Sequence, residues 1–373
     1  MKGFTRNVFI FLSLVALGLS APRAAETGDP EPDSAHVVNM TILKRGGGRV
    51  SWSHSRNRIA FDRIGEDGYY DVFVMRPNGA GTRSLTRGRP DLPQLNNGQP
   101  AWHPTGDFIV FQSQDPALET PADWTPEQQR FFTGPGIGIN NNLWLMSADE
   151  ASFWRLTGVA DGNGVLHPHF SPDGARLAWA EITGRTEDGR RKWAIRLADF
   201  GFAGGAPELL HIETRRPRGL LFYETHGFSP DGGRLLFSGF PENGSYYALE
   251  IYSLDLITGR AKRLTKDREW DEHAHFSPDG TEIVWASSRG TPQIKGNPLR
   301  FPPRLDYWIM DGDGKNKRRL TRFNQPRSLS FIPGGVACAD FGWSPDGASI
   351  VAFFNLPRTE RRDFIARLRL DRD

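Results

Sequence analysis

The chain has 373 residues, of which 38% are hydrophobic, and it contains 41 glycines and 27 prolines but a single cysteine. Its 46 basic and 44 acidic residues nearly balance, which argues against nucleic acid as a partner because such binders usually carry a basic excess or stripe. Abundant glycine and proline favour many short strands and tight turns over long helices. Cys338 cannot form an intramolecular disulfide, and its apolar neighbours predict a buried core residue.

The first residues have the pattern of an export signal. Lys2 and Arg6 precede the apolar stretch 8–19, and small residues follow it, as at a signal-peptide cleavage site. We therefore predict a signal peptide over 1–25 and a linker over 26–35. Cleavage removes three positive charges and no negative one, which changes the formal net charge from +2 to −1. The sequence predicts a periplasmic or secreted protein with no transmembrane segment after cleavage.

From residue 50 onwards one short motif recurs in six copies, an aromatic residue followed by Ser-Pro-Asp-Gly or a variant of it. The aromatic residues stand 48 to 68 positions apart, at Trp52, Trp102, Phe170, Phe228, Phe276 and Trp343. Proline presets one backbone angle of the motif, and glycine adopts the left-handed angle that other residues avoid, so each copy predicts a tight turn between strands. Further strand-like segments follow each turn, and four antiparallel strands per unit are typical of a β-propeller blade.

The alternating segments that follow the turns are residues 57–63, 107–113, 175–181, 233–239, 281–287 and 348–354. The sixth unit shows only three strands, while segment 36–44 has strand composition and precedes the first unit. We predict that 36–44 supplies the outer strand of the last blade, which would close the ring and cover an exposed sheet edge. The predicted fold is all-β, a single six-bladed β-propeller of four-stranded antiparallel blades over residues 36–373.

The linked motifs resemble the TolB-type repeat, a WD-repeat-like propeller family. The most complete copy spans residues 276–321, with "FSPDG", two strands ending in "YWIMDGDG", and a closing "LT". The resemblance covers roughly residues 37–373. TolB carries an additional N-terminal α/β domain, whereas here only residues 26–35 separate the predicted signal from the first predicted strand. The resemblance implies a periplasmic location and a binding role.

A polar residue stands three positions before the aromatic of every unit. These six residues are Arg49, Gln99, His167, Thr225, His273 and Asp340. The first strand of a blade is the innermost one, so these side chains are expected at one mouth of the central channel. A ring of hydrogen-bonding groups at a channel mouth predicts a ligand-binding site.

Histidines are concentrated in the same strands. Strict alternation places His167 and His273 on the same strand face as the histidine two residues after each, whereas His226 is out of phase with them. Imidazole is a favoured ligand of divalent metals, so His167, His273 and Gln99 form a candidate metal site. The alternative is that these histidines hydrogen-bond to neighbouring blades or to channel water.

The His-x-His pairs are similar to those of oligogalacturonate lyases, propeller enzymes in which histidines and a glutamine hold a metal at the channel mouth. That resemblance implies a metal-assisted lyase or hydrolase acting on an anionic carbohydrate. The chain lacks a glycine-rich phosphate loop, an HExxH motif and a Gly-x-Ser-x-Gly motif. The sequence therefore favours non-catalytic binding of an envelope protein or a small ligand such as a carbohydrate, with the metal-assisted enzyme as the alternative.

Long insertions between second and third strands point to one face of the predicted propeller. They occupy residues 113–142, 183–192 and 287–305, on the side where the innermost strands begin. Their aromatic side chains either cover the channel mouth or pack the loops onto the ring. The residues concerned are Trp124, Phe131, Phe132 and Phe301.

Overall fold

The computed structural model describes residues 36–242, 248–267, 269–291, 293, 303–356 and 363–371. Within these ranges the chain forms twenty-four strands and one short helix, α1 (Pro126–Phe132). The predicted signal peptide, the predicted linker and Phe301 lie outside the described residues. No helix within the described ranges has the length and apolar character needed to cross a membrane.

The strands form six four-stranded antiparallel sheets, which we number as blades one to six in chain order. Blade one consists of β2 (Val50–Ser53), β3 (Arg58–Ile64), β4 (Tyr70–Met75) and β5 (Arg83–Ser84). Blade two consists of β6 (Asn97–Trp102), β7 (Phe108–Gln114), β8 (Asn141–Ser147) and β9 (Phe153–Arg155). Blade three consists of β10 (Gly164–Phe170), β11 (Arg176–Arg185), β12 (Arg191–Ala203) and β13 (Ala206–Arg215).

The remaining three blades follow the same order. Blade four consists of β14 (Leu220–Phe228), β15 (Arg234–Pro241), β16 (Glu250–Asp255) and β17 (Ala261–Arg263). Blade five consists of β18 (Asp271–Phe276), β19 (Glu282–Ser287), β20 (Asp306–Asp311) and β21 (Arg318–Arg319). Blade six consists of β22 (Ala337–Trp343), β23 (Ser349–Asn355), β24 (Phe364–Asp371) and the N-terminal strand β1 (His36–Arg45).

The first strands of the blades form a closed inner ring. Strands β2, β6, β10, β14, β18 and β22 each contact the first strands of the two neighbouring blades, and β22 contacts β2. Apolar clusters fill the spaces between blades, as where Leu236 and Ile251 of blade four pack against Phe276 and Trp285 of blade five. The predicted six-bladed propeller is confirmed.

The Ser-Pro-Asp-Gly turn recurs because each copy closes the same set of hydrogen bonds. In blade five, the hydroxyl of Ser277 donates to Asp279 over 2.5 Å and accepts the N–H of Glu282 over 3.0 Å. The N–H of Gly280, which has a φ of +72°, donates to the carbonyl of Ser277. The equivalent bonds occur in the turns at 171–176, 229–234 and 344–349. Each turn therefore fixes where an innermost strand ends and the second strand begins.

Blade six is completed by the N-terminal strand, as predicted. Strand β1 pairs antiparallel with β24, from His36 opposite Asp371 to Arg45 opposite Phe364. It extends one residue beyond the predicted segment 36–44. Leu43 packs into the core between blades six and one, so β1 contributes apolar burial as well as ladder hydrogen bonds. The strand covers the edge of β24, which would otherwise expose unpaired backbone groups.

Deleting β1 should destabilise the whole ring. A chain that begins at Gly46 exposes the β24 edge, and we expect aggregation or a loss of about 3 kcal/mol or more in the free energy of unfolding, beyond the usual effect of a point substitution. Size-exclusion chromatography and urea denaturation measure both effects. A chain that begins at His36 and keeps β1 is the control. A stable monomer that begins at Gly46 and unfolds like the control would contradict the closure.

Candidate functional site

The innermost strands of five blades carry a β-bulge at the same place. Pairing with the second strand shifts register between Gly98 and Ala101 in blade two and between Leu166 and His169 in blade three. Blades four, five and six repeat the shift in β14, β18 and β22. A bulge sets two residues against one on the partner strand and redirects the side chains there. The bulges therefore decide which side chains face the axis.

Three of the bulges place a non-glycine residue in the left-handed region. Gln99 and His167 both have a φ of 48°, and His273 has a φ of 54°. Such angles are uncommon for residues other than glycine and usually persist where surrounding contacts enforce them. These three residues are the ones that the sequence predicted as metal ligands.

Side chains of the preceding blade satisfy the backbone at two of these bulges. Asp62 of blade one accepts the N–H of Gln99 over 2.9 Å, and the Oε1 atom of Gln99 accepts the N–H of His167 over 2.9 Å. The hydroxyl of Thr225 donates to the carbonyl of His167 over 2.6 Å. A buried N–H without a partner costs free energy, so this relay holds His167 in position. Gln99 and Thr225 thus act on the backbone of His167.

Three imidazoles and one carboxylate meet where the bulges converge, and we call this group the axial cluster: His167, Glu224, His226 and His273. All four residues are at most 8% exposed. The ring centroids of the histidines lie 6.0, 6.0 and 5.8 Å apart, and Nε2 of His167 lies 2.6 Å from Oε1 of Glu224. One ligand atom from each of the four residues lies within 4.8 Å of the others.

Two further carboxylates border the axial cluster. Asp340 of blade six places Oδ1 at 3.5 Å from Nδ1 of His167 and at 3.6 Å from Nδ1 of His273. Blades three and six stand opposite each other in the ring, so this contact spans the axis. Glu272 lies 3.4 Å from Nε2 of His273 and accepts the indole N–H of Trp270 over 2.6 Å.

Arg49 lies on the blade-one side of the axial cluster. Its guanidinium forms two hydrogen bonds with Asp62, of 3.1 and 3.0 Å, and donates to the carbonyl of Pro135 over 2.6 Å. Pro135 belongs to the long insertion of blade two and lies directly on Gly98, where a Cβ atom would come within 2.3 Å of the proline ring. The insertion therefore reaches the first strand of blade two and Arg49. The charge of Arg49 is largely balanced by Asp62.

The pKa values of the site reflect burial and the mutual attraction of opposite charges. Burial alone would lower the pKa of His167, but the Glu224 and Asp340 carboxylates outweigh it and raise that pKa. Burial would raise the pKa of Asp340, yet His273, His167 and Arg49 lower it to about 2. Burial and the neighbouring Glu224 raise the pKa of Glu272 to about 7, against the opposing effect of His273. The site thus favours ionised Asp340 and the protonated form of His167.

Two further histidines, His169 and His275, lie two residues after His167 and His273 on the same strands. His169 and His275 have ring centroids 5.6 Å apart, and His275 packs edge-on against Phe341 at 4.9 Å. Burial lowers the pKa of His275 to about 4 and that of His169 well below its usual value. Nε2 of His169 lies 3.2 Å from the carbonyl of Thr225. Both rings are therefore neutral near pH 7 and hold neighbouring blades together.

The structure brings three of the six predicted mouth residues into direct contact, namely His167, His273 and Asp340. Arg49 borders them, while Gln99 and Thr225 support His167 through its backbone. Gln99 was predicted as a metal ligand, but in the structure its Oε1 atom accepts the N–H of His167 instead. That these six residues bind a ligand stays a prediction.

Sequence reasoning missed His226, Glu224, Glu272 and Asp62. Strict alternation placed His226 out of phase with the other histidines, and this was wrong because the bulge between Thr225 and Gly227 changes the count of residues along β14. Gly227, with a φ of 110°, was the available signal, since an isolated glycine in a strand often marks a bulge. No comparable signal identifies the carboxylates.

The aromatic residues of the blade-two insertion pack onto the ring. Trp124 and Phe132 are each 8% exposed and pack with Ile139 and Ile182, and Phe131 joins them. Of the two interpretations of these aromatic residues, packing of the loop onto the ring applies to Trp124, Phe131 and Phe132. Cys338 is buried, as predicted.

A second acidic group lies between blades four and five but is neutralised by arginines. It comprises Glu250, Asp267 and Asp271. Arg263 pairs with Glu250, and Arg289 pairs with Asp267 at 3.2 Å. Asp271 accepts the indole N–H of Trp285 over 3.0 Å. The pairing with arginine distinguishes this group from the axial cluster.

Comparison with known proteins supports the fold. No family model matches the chain. The uncharacterized protein Atu1656 of Agrobacterium fabrum (strain C58) is 27% identical over 222 residues, which cover 60% of this chain and 57% of that protein. The Tol-Pal system protein TolB of Francisella tularensis subsp. mediasiatica (strain FSC147) is 29% identical over 97 residues, covering 26% of this chain and 19% of TolB.

A solved structure extends the similarity to most of the chain. TolB from Acinetobacter baumannii superposes with a TM-score of 0.52 and 18% identity, over 85% of this chain and 64% of TolB. The matched regions span less than two thirds of each of these three proteins. The resemblance to the TolB-type propeller is confirmed as a resemblance of fold.

Replacing Gln99 should cost stability through the backbone of His167. In Gln99→Leu the buried N–H of His167 loses its acceptor, and we expect the free energy of unfolding to fall by about 1–3 kcal/mol. Urea denaturation measures the change. Gln325→Leu, which removes a hydrogen bond at the surface, is the matched control and should change stability by less than about 0.5 kcal/mol. Equal effects of the two substitutions would contradict the relay.

Proposed function

We propose that this TolB-like propeller is an exported, non-catalytic binding protein that holds its partner or ligand at the mouth formed by Arg49, Asp340 and the axial cluster. The observation that carries the proposal is the concentration of buried ionisable groups at one point on the axis. Burying charged or polar groups is costly unless they are paired, and blades can be held together by apolar contacts alone. Perturbed titratable groups in a concave site are a recognised mark of function.

The partner is inferred from the relatives of this chain. The curated relative from Francisella tularensis is a protein of the Tol-Pal system, and we extend to this chain the expectation of a partner in the cell envelope. A small ligand such as a carbohydrate is the second possibility. The predicted signal peptide, which supports a periplasmic or secreted location, is consistent with either partner.

The insertion of blade two favours the same face. Its backbone contacts Arg49 through Pro135, and its aromatic residues fix the loop against the ring. A partner that approaches the axial cluster would therefore also contact this loop. Loops held on a rigid scaffold commonly carry binding residues.

A second candidate function is a metal-assisted lyase or hydrolase acting on an anionic carbohydrate. The observation that favours it is the adjacency of imidazoles to Glu224 and Glu272, because such pairs serve as metal ligands and as general acids or bases. Incubation of the purified protein with oligogalacturonate, with and without added Mn²⁺, tests this function. The non-catalytic proposal expects no unsaturated product and no new reducing ends. Formation of either product, and its loss in Glu224→Gln, would establish the enzyme instead.

The binding proposal predicts that the double substitution of His167 and His273 by Gln removes binding and keeps the fold. Both side chains are buried and face carboxylates, so their replacement should lower the melting temperature without unfolding the ring, while affinity for an envelope partner or ligand should fall at least about tenfold. Retention of envelope proteins by immobilised wild type and variant, followed by titration of the retained partner, gives the comparison.

His211→Gln provides the matched control for this experiment. His211 has an 81% exposed side chain that pairs with Asp199 on the outer strand of blade three, far along the sheet from the innermost strand. Its replacement should leave retention unchanged. A double variant that binds as well as wild type but melts at a much lower temperature would show that the two histidines only stabilise blades.

A further inference from the structure

The axial cluster has the composition of a transition-metal site. It offers three imidazoles and one carboxylate, from β10, β14 and β18. Zinc sites in proteins are built from nitrogen, sulfur and carboxylate ligands, usually four of them in a tetrahedral arrangement. Calcium and magnesium prefer sets made of oxygen ligands. Three nitrogens among four ligands therefore favour a transition metal such as zinc over calcium and magnesium.

The spacing of the rings is close to that of a zinc site. Zinc–nitrogen distances of about 2.0–2.1 Å and tetrahedral angles place imidazole centroids roughly 5–5.5 Å apart. The three centroid distances of 5.8–6.0 Å exceed this only slightly. Movements of less than about 1 Å would bring all three rings to bonding distance.

Each imidazole has a polar group on the side away from the cluster centre. Nδ1 of His167 faces Asp340 at 3.5 Å, Nε2 of His226 lies 2.6 Å from the hydroxyl of Ser238, and Nε2 of His273 faces Glu272 at 3.4 Å. Outer partners of this kind orient the histidine ligands of metals and fix their tautomers.

One nitrogen of the cluster lacks a hydrogen-bond partner. His273 is 8% exposed, and its Nδ1 atom makes no hydrogen bond among the described residues, since Oδ1 of Asp340 lies 3.6 Å away. A buried polar atom without a partner carries a desolvation cost that a ligand can remove. The left-handed backbone at His167 and His273 aims both rings at the cluster at some conformational cost.

The balance of charge also favours a cation. Four acidic side chains, those of Asp62, Glu224, Glu272 and Asp340, lie around the axis. Arg49 pairs with Asp62, and His167 pairs with Glu224. Buried charges are tolerated when they are paired or bind a metal. A divalent ion at the centre of the axial cluster would replace the proton of His167 as the positive partner of Glu224 and lie near Asp340.

We propose that the axial cluster binds a single Zn²⁺ ion through Nε2 of His167, Nδ1 of His226, Nδ1 of His273 and a carboxylate oxygen of Glu224. The inference deepens the proposed function, because the ion would lie at the mouth where the partner binds. Gln99 is a positioning residue for the site, since it holds the backbone of His167. Asp340, Ser238 and Glu272 form the outer partners of the three imidazoles.

Equilibrium dialysis of the chelator-treated full chain against Zn²⁺, with metal quantified by mass spectrometry, tests the proposal. We expect one Zn²⁺ per chain, no comparable uptake of Ca²⁺, and a Zn²⁺-dependent rise in melting temperature, since a ligand that binds only the folded state stabilises it. Glu224→Gln and His226→Gln should each weaken Zn²⁺ binding by at least about 100-fold, because losing a direct ligand costs more affinity than losing an outer partner. His211→Gln and the buried-histidine variant His275→Gln are the controls and should still bind.

The outcomes separate this inference from the proposed function. Failure to bind Zn²⁺ in wild type, or equal binding by wild type, Glu224→Gln and His226→Gln, overturns the metal site whatever the partner assay shows. If a variant fails to fold, the melting temperature of the wild type still tests the site. Zn²⁺ bound at a buried site must raise that temperature. Zn²⁺ binding without any partner would leave the metal site intact and count against the proposed function alone.

Discussion

The backbone at the bulges of the innermost strands is the constraint on which the site depends. Six strands converge on a narrow axis, and a bulge removes one N–H from the regular ladder at the point of closest approach. Asp62 and Gln99 supply the missing acceptors from the neighbouring blades. Because a buried unpaired N–H is costly, the side chains of blades one and two determine the orientation of His167 in blade three.

The architecture of the ring makes that convergence possible. The repeated turn ends each innermost strand at an equivalent position in its blade. Strand β1 completes blade six by pairing with β24, the last described strand of the chain. Residues from blades three, four, five and six therefore meet at one height on the axis. A single displaced blade would separate the histidines, which links the stability of the fold to the geometry of the site.

The sequence made the fold predictable because the determinants are local and repeated. The aromatic residue with Ser-Pro-Asp-Gly identifies a turn in each blade, and the composition of 36–44 identifies the closing strand. Prediction of the site was less complete, for a physical reason. The face occupied by a side chain depends on each bulge, so strict alternation placed His167 and His273 usefully but failed for His226. Glu224 and Glu272 carry no pattern that separates them from surface acids, and Pro135 belongs to an insertion without any repeat.

We infer that the axial cluster is a Zn²⁺ site and not only a set of contacts between blades. An X-ray structure of the protein crystallised with Zn²⁺, with anomalous data collected on both sides of the zinc absorption edge, tests it most directly. The account predicts one strong anomalous peak on the axis, about 2.0–2.1 Å from nitrogens of His167, His226 and His273. Rings that stay hydrogen-bonded between blades, with no anomalous density between them, would contradict it.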